Sequence, residues 1–161
     1  MNTGDELSPS AQKVQTALSA LDISFQVVEL PASTRTAQEA AQTIGCTVNQ
    51  IVKSLIFQTK QTKKPIIVLA SGSNRINEKK VGEVVAEPIE KANADFVREK
   101  TGFVIGGVPP MGHKEKIETY IDEDLLQYEE LWAAAGTPNA VFKLRSTDIE
   151  KLTNGKVISV K

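Results

Sequence analysis

The 161-residue sequence predicts one mixed α/β domain, built as a mixed, partly barrel-like β-sheet with helices packed on it. Three observations carry that reading. Short β-branched runs and helical stripes are interleaved, but the connections between them vary in length. Two apolar runs near the middle, residues 53–57 and 66–70, are joined by the polar stretch 60–64 and read as a hairpin. The hairpin and the irregular connections argue against a doubly wound parallel sheet, and no internal repeat, low-complexity tract or linker is present to split the chain. Residues 1–7 read as a frayed tail, and residues 8–161 as the domain.

The elements follow in order. Ser8-Pro9 is an N-cap followed by proline at the first helical position, and Ala11, Val14, Leu18 and Leu21 line one helical face. Residues 24–30 read as a strand ended by Pro31. Thr36-Ala37-Gln38-Glu39 is a capping-box pattern. Ala37, Ala40, Ala41 and Ile44 form the next helical stripe, closed by Gly45. A short turn over 47–52 leads into the hairpin. Asn77 caps a helix reaching about Val85, and Pro88-Ile89 is extended. Asn93 caps a helix ending at Gly102. Phe103-Val104-Ile105 reads as a strand, and residues 117–121 as another. A helix is expected from Asp122 or Asp124 to Gly136, with Leu125, Tyr128, Trp132 and Ala135 on one face. Residues 141–144 form a strand, Thr147-Asp148-Ile149-Glu150 caps a short helix, and residues 157–160 form the last strand.

Composition excludes several classes. A net charge of −1 excludes a molecule that binds nucleic acid by overall charge, so RNA would have to meet a local basic patch. The longest clean apolar run, residues 66–70, is far too short to span a bilayer, and residues 1–8 are polar and acidic, so neither membrane nor secretion signal is expected. One cysteine, Cys46, leaves no internal disulfide and fits a reducing cytoplasm. One histidine and one cysteine cannot build a structural zinc site of the usual kind, so no metal or cofactor is expected. Residues 107–114 come near a phosphate-loop pattern and fail it, because His113 stands where the lysine belongs and Pro109 and Pro110 delete donors that a phosphate cradle needs. A Cys46–His113 nucleophile pair stays open, although a buried structural thiol is the commoner fate of such a cysteine.

The chemistry-bearing stretch is Thr101-Gly102-Phe103-Val104-Ile105-Gly106-Gly107-Val108-Pro109-Pro110-Met111-Gly112-His113. The glycines let the backbone leave ordinary φ/ψ space, and the two prolines stiffen it. Such a loop brings main-chain N–H groups close to a ligand. Gly107 is the expected position of positive φ and close approach. Lys53 sits inside the apolar run Ile51-Val52-Lys53-Ser54-Leu55-Ile56-Phe57. Simple alternation would leave its head group in water. Together with the loop it makes an anion or carbonyl site, one ammonium plus aimed main-chain donors.

These residues resemble a known family. Val52-Lys53-Ser54-Leu55, then Ala70-Ser71-Gly72, then Gly106-Gly107-Val108-Pro109-Pro110-Met111-Gly112 are similar to the YbaK/prolyl-tRNA synthetase-associated domain, over nearly the whole chain from about Ser8. The resemblance implies that family's mixed α/β editing-domain fold and the hydrolysis of wrongly charged aminoacyl-tRNA. This chain looks like a free-standing member acting on the acceptor end of tRNA(Pro), or of another tRNA carrying a small amino acid, with a tRNA synthetase as a further partner. Lys53 matches the family lysine that serves catalysis or substrate binding, and the Gly-x-x-x-Pro loop, residues 106–110, matches the one that binds the aminoacyl end through its backbone. On that resemblance Lys53, Gly106 and Gly107 are the catalytic candidates. Ser71, Gly72, Val108, Pro109, Pro110, Gly112, His113, Gly136 and Thr137 are the substrate-binding candidates. Two departures leave the amino acid open among alanine, serine, threonine and cysteine. Pro109 replaces the serine usual in cysteinyl-tRNA(Pro) deacylases, and Trp132-Ala133-Ala134-Ala135-Gly136-Thr137-Pro138 resembles a different free-standing branch. The rival reading is a non-catalytic nucleotide- or aminoacyl-binding module of the same fold.

Overall fold

The computed structural model describes residues 7–21, 25–31 and 36–161. Among them the chain forms α1 (Pro9–Ala20), β1 (Val27–Glu29), α2 (Ala37–Ile44), β2 (Ile51–Thr59), β3 (Pro65–Ser71), α3 (Glu78–Val85), β4 (Ile89–Lys91), α4 (Ala94–Thr101), β5 (Glu118–Asp122), β6 (Glu130–Ala134), β7 (Ala140–Arg145), α5 (Ile149–Thr153) and β8 (Lys156–Ile158). The helix starts follow their side-chain caps. Ser8, Thr36, Asn77 and Asn93 each accept a hydrogen bond from the first turn of the helix that follows.

One mixed sheet runs in the order β1-β7-β6-β2-β3-β5-β8, with β4 pairing β2 beside that path. The β2–β3 hairpin is antiparallel from Val52↔Ser71 to Gln58↔Pro65. The β2–β6, β3–β5 and β5–β8 pairs are parallel, as a sheet fed partly by helical crossovers requires. Alternation along β2 and β3 divides the core between the two sheet faces. Val52, Ile56, Ile67 and Leu69 join α1, α4, Phe103 and Val108 on one face. Phe57, Ile66 and Val68 join Val81 of α3 on the other. A third, smaller cluster packs α2 on Ile51 and Trp132.

Four expectations change. Phe103-Val104-Ile105 is not a strand, because no neighbouring strand accepts it; Phe103 plugs the main core while Ile105 is 58% exposed. The helix expected up to Gly136 is a 3₁₀ turn, Glu123–Gln127, followed by β6. Its alanines favour a helix, but β6 is held between β7 and β2, and Leu131 and Ala133 alternate into the core. At Thr147 no capping box forms; the chain makes a 3₁₀ turn, Ser146–Asp148, before α5. Leu7, assigned to the tail, packs against the main core. The first strand is shorter than expected, and Ser24, like residues 1–6 of the tail, lies outside the described residues. No helix among the described residues is long and apolar enough to cross a membrane.

Candidate active site

The site is built on a gap in sheet pairing. β3 covers one edge of β2 for almost its whole length. On the other edge β6 pairs only with Ile51 and Val52, and β4 only from Phe57 to Thr59. Among the described residues, therefore, no strand lies beside residues 53–56 on that edge. The glycine–proline loop lies over this gap. Two hollows of about 650 and 530 Å³ flank it and share Lys53, Ser54, Leu55, Ile105, Gly106 and Val108 as a common wall. The first opens toward α2 and β6, where Ala40, Ile44, Trp132 and Ala133 make it mainly apolar. The second opens toward α3 and α4 and carries Arg75 and Lys91 with a single carboxylate, Glu78.

Lys53 is half-buried, with Nζ donating to the main-chain oxygen of Asn74 at 2.6 Å. Burial pulls its pKa below the ordinary lysine value; the Asp122 carboxylate opposes that, and the Arg75 guanidinium adds to it. Asp122 is fully buried at the end of β5. It accepts from the Ser71 N–H at 3.0 Å, the Asn74 amide at 2.7 Å and the Asp124 N–H at 2.9 Å. The Asn74 amide also reaches Asp124 at 2.8 Å. Asp124 is held below the usual carboxylate range, first by the hydrogen bond from Lys161 and then by Asn74. Asn74 thus fixes the carbonyl that receives the lysine.

Within the loop, Gly106 has φ +89°, a left-handed value that favours glycine, whereas Gly107 is not in that region. Glycine at 107 answers a different demand. Its N–H donates to Val104 O at 3.0 Å, and its carbonyl accepts from the Gly136 N–H at 2.8 Å. A β-carbon there would stand 2.8 Å from Thr137 Cα and 2.9 Å from Gly136 C. The Gly106 and Val108 N–H groups have no hydrogen-bond partner among the described residues, and both residues line the shared wall. His113 Nε2–H donates to Pro109 O at 2.7 Å and so pins the loop from behind. Burial pushes this imidazole's pKa down, and the Pro109 carbonyl partly restores it.

The structure brings together Lys53, Gly106, Val108 and, on the first hollow only, Gly72. Gly107 and Pro109 are buried, with Gly136 and Thr137 against Gly107. Ser71 is buried too; its hydroxyl donates to Asn49 O at 2.8 Å. Pro110, Gly112 and His113 line a separate hollow with Tyr120 and Lys156. Cys46 packs with the α2 cluster, where burial raises its thiol pKa, and lines neither groove hollow. Sequence reasoning missed Asn74, Arg75, Lys91, Ile105 and Trp132. Trp132 was hidden by the helical reading of its segment and Ile105 by the strand reading. Ser71-Gly72-Ser73-Asn74 at a strand end was a signal for Asn74, since asparagine there can bond both backbone and side chains.

Residues 31–152 match the aminoacyl-tRNA editing domain family. The chain belongs to this family. A solved structure described as that of a candidate trans-editing enzyme for prolyl-tRNA synthetase is 49% identical, covers 97% of this chain and 99% of its own, and superposes with a TM-score of 0.91. The uncharacterized protein YwhH of Bacillus subtilis (strain 168) is 29% identical over 92% of this chain and 94% of its own length. EbsC of Enterococcus faecalis (strain ATCC 700802 / V583), named as a candidate Cys-tRNA(Pro)/Cys-tRNA(Cys) deacylase, is 26% identical over 77% of this chain and 76% of its own. The editing-domain fold expected from the resemblance is therefore the fold of this chain.

Proposed function

We infer that this editing domain hydrolyses the ester of mischarged aminoacyl-tRNA carrying a small amino acid, tRNA(Pro) being the first tRNA to test. The observation that carries the reading is the shared wall, where the Lys53 ammonium and the unpaired N–H groups of Gly106 and Val108 border one groove. An aminoacyl ester is already reactive, so attack by water needs oxyanion stabilisation more than a side-chain nucleophile. Each aimed main-chain donor supplies on the order of 3 kcal/mol in comparable sites. The first hollow takes the amino-acid side chain. Its walls discriminate by size, where one methylene is worth roughly 1–3 kcal/mol. The second hollow takes the terminal nucleoside, with Lys53, Arg75 and Lys91 beside the phosphodiester that joins it to the tRNA. With a net charge of −1, tRNA affinity concentrates at this end, and a synthetase partner would supply the rest.

The test is a panel of tRNAs charged with different amino acids, followed for loss of the ester. Hydrolysis of small aminoacyl esters, lost in Lys53→Ala, is the expected result. Binding of an aminoacyl-adenosine analogue without hydrolysis of any ester would overturn the enzyme in favour of a non-catalytic binding module.

A further inference from the structure

The gap along β2 leaves both main-chain groups of one residue open. Thr59 N–H bonds Lys64 O across the hairpin, so the main-chain groups of 53, 55 and 57 face β3. The even residues face the opposite edge. Val52 meets β6, and Ile56 O accepts from the Ala92 N–H at 3.2 Å. Between them, the N–H and C=O of Ser54 have no strand to pair with, and neither bonds another described residue. An unpaired edge of this kind is a template for any ligand that offers a donor and an acceptor side by side.

The second hollow is shaped for such a ligand. Ile56, Ile76, Ala92, Val97 and Val108 give it apolar walls on both sides of the strand edge. Arg75 and Lys91 stand at its exposed side, and neither has a salt-bridge partner among the described residues. Apolar walls, one donor–acceptor pair and unpaired cations together describe a site for a strand-terminal nucleoside, with the base between the walls and its linking phosphodiester at the cations.

We propose that the open edge of β2 at Ser54 reads the base of the terminal adenosine, its N–H donating to N1 and its C=O accepting from the N6 amino group. This rests on the reading of the groove as an aminoacyl-tRNA site. It adds a base-specific contact made by main chain alone, which leaves no trace in side-chain identity. Inosine reverses the match, because its N1 carries a hydrogen and its position 6 an oxygen. The edge then faces donor against donor and acceptor against acceptor.

The experiment is a calorimetric titration of the protein with 3′-alanylamino-3′-deoxyadenosine and with the inosine and unsubstituted purine forms of the same compound. The inosine form binds at least roughly tenfold more weakly and the purine form roughly threefold more weakly, since each lost or reversed bond leaves a polar group unmatched. Ile76→Trp, which adds bulk to the second hollow, removes the difference between adenosine and inosine. Equal affinity for all three forms in the parent protein overturns the base contact and leaves the editing function standing. Binding of none of them also overturns it, and deacylation of charged tRNA measured in parallel then decides separately whether the editing function falls as well.

Discussion

Lys53 Nζ donates to the main-chain carbonyl of Asn74 at 2.6 Å. The lysine is therefore held at the groove by backbone, and Asn74 is held in turn by two carboxylates on its side chain. A long cationic side chain is placed without a direct ion pair among the described residues, which keeps its charge available to an anionic ligand.

Lys53→Ala is expected to remove ester hydrolysis while shifting the thermal midpoint little. A half-buried ammonium contributes little net stability, because burial already disfavours its charge. A variant as active as the parent in single-turnover assays would refute the assignment. Lys53→Arg is expected to stay impaired, since a planar fork does not replace a point charge.

Asn74→Ala strips one donor from the buried Asp122 and leaves that carboxylate under-satisfied. The expected loss is about 1–3 kcal/mol in a urea unfolding series. Turnover should fall as well, because the loop that presents the carbonyl to Lys53 is no longer fixed. Unchanged stability would mean that the Asp122 network does not hold the site.

The two loop glycines should separate in their effects. Gly106→Ala forces a β-carbon into a left-handed backbone and costs about 1–2 kcal/mol, with turnover falling further because the adjacent donors move. Gly107→Ala meets the Gly136–Thr137 backbone instead and is expected to lower stability by about 1–3 kcal/mol through overpacking. Melting curves beside single-turnover rates check both. An unperturbed Gly107→Ala would contradict the close approach.

His113 gives a pH signature. Its folded-state pKa lies below the value of about 6.5 expected when unfolded, so between the two the unfolded chain binds more protons. The stability from the neutral imidazole is complete above about pH 6.5 and is lost as pH falls through the folded pKa. His113→Gln should flatten the melting temperature between about pH 6.5 and the onset of carboxylate protonation near about 4.5, where Asp124, Glu87 and Glu90 begin to contribute. It should keep measurable activity, since His113 lines a hollow other than the two at the groove. An inactive His113→Gln would place catalysis on the imidazole.

Much of this protein was determined by local sequence. The caps at Ser8, Thr36, Asn77 and Asn93 act within one helical turn, and these four helices start where their caps predict. The β2–β3 hairpin follows from two apolar runs and a short polar connection. The loop of residues 106–110 and Lys53 were legible as unusual residue types in apolar surroundings, and as the motif of a family to which the chain belongs.

Tertiary structure decided the rest, because it concerns which strand finds a partner. The alanine-rich stretch after Glu130 became β6 because β7 and β2 offered it two edges. Phe103-Val104-Ile105 found none and became the loop's anchor and rim. Early endings of β6 and β4 left residues 53–56 open on one edge. The same packing closed Gly107 against Gly136 and Thr137, so the donors that the loop brings to the groove without a partner among the described residues are those of Gly106 and Val108. Strand partners as distant in sequence as Ile51 and Trp132, or Val52 and Ala133, are set only when the sheet assembles, and the groove is the space that this assembly leaves unfilled.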